Sequence, residues 1–294
     1  MVSMNPARRV WDVLEPIAAN VYFAPEVHGA LEKLGYGGGN VGANGIHYPD
    51  GPAYFASRGG CLGQVDGHVI AAAFGVFKRA MVVAVTARAW TVANVNDVLA
   101  ARQAGAVASL RRLLGSPDEL TWVTDVLRRM IDAGPFEGRH LSSALVALGI
   151  PDDDPMAAFW RAGDIVREHR GDSHLAAWIT ADLDACEIGL LTDPWRGQPL
   201  RSWVRSRGWT DDELDAACDR LRGRGLLDGD ALTAAGMQLR EDIETATDQQ
   251  ERRMVEALGD DADRFFAVLD GWAQRVVDGK GYPGRVQWSA ATTS

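Results

Sequence analysis

The chain has 294 residues, enough for two domains that each bury a core, and its 47% apolar and 24% charged residues are ordinary soluble composition. A net charge of −10 weighs against a general binder of nucleic acid or anionic membranes. Cys61, Cys186 and Cys218 are odd in number, widely spaced and form no CxxC, which excludes a zinc ribbon, offers no disulfide framework and points to a reduced, cytoplasmic protein.

In chain order, helical periodicity dominates. Met1–Trp11 carries two arginines but no apolar core behind them, so no secretory signal is read. Val10, Val13, Leu14, Ile17 and Val21 make one apolar face, and Pro25 with Glu26 starts a second helix that reaches Leu34. Gly35–Gly45 reads as a mobile loop and not a nucleotide site, because no strand precedes it and no helix opens from it. Helical blocks follow around Ala53–Gly59 and His68–Ala87; the apolar run Val69–Val85 is interrupted by Lys78 and Arg79 and is too short to span a bilayer. Asn94 or Asn96 caps a long helix to Leu114, ended by Gly115 and the Ser116-Pro117 turn. Shorter helices are expected at Leu120–Ala133 and Leu141–Leu148. Asp152–Asp154 before Pro155 marks another start, from which a long helix runs from Met156 to about Ala181, with a bend expected at Gly171. The domain boundary is placed near 150, giving an N-terminal helical domain (1–150) and a second domain (151–294).

The densest polar cluster, Arg167-Glu168-His169-Arg170-Gly171-Asp172-Ser173-His174, lies in that otherwise apolar helix. Continuing the Ala162–Ile165 stripe brings His169 and Asp172 to the core side. A His and an Asp three apart can hydrogen-bond, which fixes the imidazole tautomer and raises its basicity, as a general base requires. Arg170 and His174 form a second pair that can hold an anion. Equally, such a network can join two packed units, since buried polar groups must be paired. Metal binding is disfavoured, because His169 and His174 are five apart and HExxH is absent. Tyr54 and Arg58 share one helical segment, where Arg58 can take an anion, cap a helix or meet a carboxylate. Cys61 reads as a packed thiol, and Trp160, Trp178 and Trp203 as core. No GxSxG, Walker loop or dinucleotide fingerprint is present, so no cofactor is identified.

Arg201–Gly236 carries the clearest architecture. Thr210 and Glu213 form an S/T-x-x-E capping box, with Trp209 placed to staple onto Leu214. Leu214, Ala217, Cys218 and Leu221 make the buried stripe, which turns Asp211, Asp212, Asp215 and Asp219 outward. Gly225 stops this helix, and Asp228-Gly229-Asp230 makes a tight hairpin tip. Through Arg222-Gly223-Arg224-Gly225-Leu226-Leu227 and Ala231-Leu232-Thr233-Ala234-Ala235-Gly236 the segment, roughly Leu183–Leu258, resembles the MarR type of winged-helix regulator. That resemblance implies a recognition helix, a short wing, and a long helix through Met237, Ile243, Thr247, Met254 and Leu258 that builds a homodimer. The whole chain is similar to an actinobacterial family labelled helix-turn-helix, on Tyr54–Arg58, Ala101–Gly115 and Arg167–Ala177.

The expected fold is mainly α: an N-terminal helical domain plus a C-terminal winged-helix-like domain with a short β wing. A recognition surface rich in aspartate repels phosphates, whose neutralisation supplies most affinity for a duplex. Arg196, Arg201, Arg205, Arg207, Arg220, Arg222 and Arg224 lie in the same segment, yet the positions that read bases are acidic. The function read from the sequence is binding of a small-molecule ligand, with Glu168, His169, Arg170, Asp172, His174, Arg58 and Tyr54 lining the pocket and contact with DNA weakened or lost. The alternatives are a ligand-responsive regulator and an enzyme in which His169, oriented by Asp172, moves a proton.

Overall fold

Side-chain caps set most of the helix starts. The computed structural model describes residues 4–285. Asn5 Oδ1 accepts from the Ala7 amide to open α1 (Pro6–Ala18), and Pro25 opens α2 (Pro25–Glu32). Between α2 and α3 (Gly51–Gly59), the glycine-rich segment is not wholly loop: β1 (Asn40–Val41) pairs antiparallel with β2 (His47–Tyr48). The apolar block that follows is not one helix. Gly75 at φ +64° ends α4 (Gly67–Phe74), and α5 (Arg79–Ala89) restarts after it. Asn94 caps α6 (Val95–Leu114), which Gly115 ends at φ +70°. Then come α7 (Leu120–Ala133) and α8 (His140–Leu148). Asp154 caps α9 (Pro155–Thr180), which runs without a break through Gly171.

The C-terminal half has the winged-helix order. Asp184 and Glu187 form a capping box on α10 (Ala185–Trp195), and Thr210 and Glu213 form one on α11 (Asp211–Gly223). The first helix of the helix-turn-helix pair is reduced to a 3-10 turn, Val204–Arg207. Leu214, Ala217, Cys218 and Leu221 are fully buried, as their spacing predicts. Beyond α11, Gly225 at φ +69° lets the Leu226 amide donate to Leu221 O at 2.9 Å, a Schellman stop. The wing is β3 (Leu227–Asp228) paired with β4 (Ala231–Leu232) about Gly229-Asp230. Thr233 caps α12 (Ala234–Gln250). Gly236 has a packing reason, because a Cβ there would sit 2.1 Å from Leu226 O. The long helix expected through Leu258 breaks at Glu251 into α12 and α13 (Arg252–Glu256), and α14 (Ala262–Asp278) follows.

Two cores result. The first joins Val13, Ile17, Phe55, Ile70, Leu110, Leu127, Phe159 and Trp160 to side chains that return late in the chain, Met254, Leu258, Phe265 and Trp272. The second contains Trp178, Ile188, Leu191, Leu214, Leu221, Leu227 and Ile243. α9 walls both, through Phe159 and Ile165 in one and Ala177 and Trp178 in the other. Each of the larger side chains, such as Phe159 and Ile165, contributes about 1.5–3 kcal/mol when taken from water.

Candidate functional site

The polar stretch of α9 faces several neighbours at once, and each residue finds a different partner. Glu168, 2% exposed, accepts from Arg58 Nε and Nη2 at 2.9 and 2.7 Å and from Arg167 Nη1 at 2.7 Å. Tyr54 OH accepts from Arg58 Nη1 at 3.2 Å. Glu168, Arg58 and Tyr54 are therefore one cluster, and Arg58 meets a carboxylate instead of an open anion site. Burial works against the Glu168 charge, but Arg58 and Arg167 outweigh it and hold the carboxyl at about 2.

The expected His169–Asp172 hydrogen bond does not form. His169 is completely buried; its Nδ1 faces Glu251 Oε2 at 2.8 Å and its Nε2 faces Pro135 O at 2.7 Å. A carbonyl only accepts, so Nε2 donates there, and neither nitrogen is left to take a proton from a substrate. Asp172 instead accepts from the Ser142 amide and hydroxyl, both at 3.0 Å, and from the Leu141 amide at 3.4 Å. It completes the start of α8, whose exposed amides attract a carboxylate more strongly than a ring one turn away. Burial still pushes its carboxyl up.

Arg170 and His174 come together on a cavity of about 130 Å³ between α9, α10 and α12, with Trp11 and Trp203 on its rim. Arg170 donates to Asp248 Oδ1 at 2.8 Å and to Glu244 Oε2 at 2.7 Å. The His174 ring is 26% exposed, and its Nδ1 lies 3.1 Å from Thr247 Oγ1. Burial, aided by Arg240, Arg170 and Arg196 against the pull of Glu244, lowers His174 to about 3, so the ring is neutral near pH 7. Arg196, Arg240, Thr192 and Glu244 complete the wall. Sequence reasoning placed Arg196 among phosphate contacts and missed Arg240 and Glu244. Their visible signal was the charged pair four apart on a helix face shared with the apolar Ile243. Among the described residues no group of three His, Cys, Asp or Glu is placed to hold a metal ion.

Three of the four outward aspartates of α11 are paired with arginines of the same segment. Asp211, Asp212, Asp215 and Asp219 are exposed on α11, as expected. Arg205 pairs with Asp211 at 3.0 Å, Arg201 with Asp215 at 2.6 Å and Arg222 with Asp219 at 2.9 Å. Arg220 is taken by Asp184 and Glu187, and Arg224 donates to Asp182 O at 2.7 Å. Five of the seven arginines of this segment are thus already engaged. Arg196 and Arg207 are turned elsewhere.

The comparisons with known proteins agree with this architecture. A model described as Helix-turn-helix family matches residues 7–283, so the chain belongs to that family. No curated protein and no solved structure matches it. Among the described residues, no helix is long and apolar enough to cross a membrane.

Proposed function

We propose that this member of the helix-turn-helix family binds a small molecule in the cavity between α9, α10 and α12, on a winged-helix scaffold whose contact with DNA is weakened. The cavity carries the reading: two of the side chains singled out in the sequence, Arg170 and His174, converge on it from one turn of α9. Its size compares with the cavity of about 150 Å³ that takes up benzene in an engineered protein core. The ion pairs between α11 and its own arginines support the second half, since a paired guanidinium must give up a carboxylate before it neutralises a phosphate.

The competing reading is a ligand-responsive regulator of the MarR type, and the order α10, α11, wing, α12 favours it. In that type the long helix builds a homodimer. Here the α12 face that carries Glu244, Thr247 and Asp248 is already occupied by α9, so a dimer would need another surface.

Two measurements test the proposal together. Thermal-shift screening against small metabolites should find a stabilising compound whose effect disappears in Gly171→Leu. Gly171 is on the cavity wall, and a Cβ there meets only Glu168 Oε2 at 3.5 Å, so the variant fills the cavity without a clash at its base. Gel shift on DNA from upstream of the protein's own coding sequence should show no saturable complex at physiological salt. A saturable, salt-sensitive complex would return the assignment to the regulator.

A further inference from the structure

Arg196 and Arg207 differ from the five paired arginines of the C-terminal segment. Arg207 is held by rings, with its guanidinium carbon 4.0 Å from the Trp203 centroid and 4.7 Å from that of Phe77. Arg196 is on the cavity wall; its Nε is buried without a hydrogen-bond partner, and no described carboxylate lies within ion-pair distance. The nearest compensation is the negative end of α10, which Arg196 caps. Arg240, 1% exposed on the same wall, gives Nε to Thr192 and Nη2 to Glu244, but its Nη1 has no partner. Arg170 across the cavity is committed to Glu244 and Asp248. With Arg170 balanced by Asp248, the wall leaves Arg196 and Arg240 facing one lining carboxylate, Glu244, which Arg170 also shares. Leaving a buried charge without a counter-charge is costly. The cost shows at Arg240, where burial, with repulsion from Arg196 and Arg170, lowers the guanidinium below its ordinary range despite Glu244.

His174 adds a second element. Thr247 Oγ1 donates to Ile243 O at 2.7 Å and so accepts from His174 Nδ1. In the neutral ring Nε2 is then an acceptor.

We propose that the cavity is an anion site: Arg196 and Nη1 of Arg240 take the carboxylate or phosphate of a small hydroxylated organic acid, and its hydroxyl donates to His174 Nε2. The inference rests on the cavity reading above and assigns the class of its ligand. L-malate and glycerol 3-phosphate are the carboxylate and phosphate probes, and erythritol is the uncharged control. Calorimetric titration at fixed ionic strength, on the full chain and on Arg196→Gln, should show at least one acid binding wild type and erythritol not binding. Arg196→Gln should weaken that acid about tenfold or more, the scale of one charged hydrogen bond. The variant should melt close to wild type, because Arg196 has no carboxylate partner to lose and gives up only its interaction with the end of α10, and this separates loss of the site from loss of the fold. Equal binding of the acids by wild type and Arg196→Gln, or binding of neither acid to wild type, overturns the anion site. A neutral compound lost in Gly171→Leu but kept in Arg196→Gln sinks this inference and leaves the cavity reading intact. Binding indifferent to Gly171→Leu sinks both.

Discussion

Replacing Asp211, Asp215 and Asp219 by Asn removes the carboxylates that hold Arg205, Arg201 and Arg222, and should create affinity for nonspecific duplex DNA. The fold should persist. Surface ion pairs contribute between nothing and about 1 kcal/mol each, and the Thr210–Glu213 capping box is untouched. Removing three carboxylates takes the net charge from −10 to −7. Arg205 and Arg222 are well exposed, while Arg201 is 21% exposed and hydrogen-bonded to Cys218 Sγ. Arg222 also donates to Gly229 O and lies 3.9 Å from Asp230, so between one and three guanidinium groups become free for phosphates. With a slope of about −0.9 per phosphate, log affinity against log salt should steepen by roughly 0.9 to 2.7. Between about 50 and 200 mM salt, the advantage of the triple variant over wild type should then shrink by roughly 3-fold to 40-fold. Fluorescence anisotropy on a labelled duplex of arbitrary sequence reads both quantities. A triple variant with the salt slope of wild type would refute the argument that these aspartates silence the surface.

His169→Ala should cost about 2–4 kcal/mol, the scale of lost buried hydrogen bonds plus a cavity, because it removes a partner of Glu251 and of Pro135 O and empties a fully buried site beside Phe136. Urea denaturation measures this, and a loss under 1 kcal/mol would contradict the structural role given to the ring. Acidification should destabilise the protein in two stages. His174 folds with its proton affinity lowered to about 3, so below the ordinary 6.5 the unfolded chain takes a proton that the folded ring refuses. Stability falls from that point by at most about 1.4 kcal/mol per pH unit, and by less for a quarter-exposed ring. Glu168, held at about 2, contributes stability above its ordinary 4.5 that is lost as pH falls further. His174→Asn should flatten only the upper stage of a plot of urea midpoint against pH. Cys61 and Cys186, buried and pushed up to about 12, should resist a thiol reagent at pH 8 until the chain unfolds; rapid native labelling of either would conflict with the packing.

Local chemistry was legible in the sequence where it acts within a few residues. Thr210 and Gly225 announced their helix ends, and Asn94 and Asp154 did so to within two residues, because a cap involves only the adjacent turn. The outward aspartates of α11 followed from its apolar stripe for the same reason. Partners across the fold were not legible. Helical spacing correctly put His169 and Asp172 on the buried side, but it could not show that Glu251, 82 residues away, would claim one and the amides of α8 the other. Arg196 reads from the sequence as a phosphate contact, and Arg240 only as half of a charged pair on a helix face, because their place depends on how α9, α10 and α12 close around them. Gly75 was misread because one glycine inside an apolar run is compatible with a helix, and only its positive φ reveals the break.

The uninterrupted 26-residue course of α9 makes it a shared beam about 39 Å long. Neither half of the molecule can melt while the other stays native without tearing apolar side chains from that beam. Heat should therefore dismantle the two halves in one event, and a compound lodged against α9 protects residues far from where it sits.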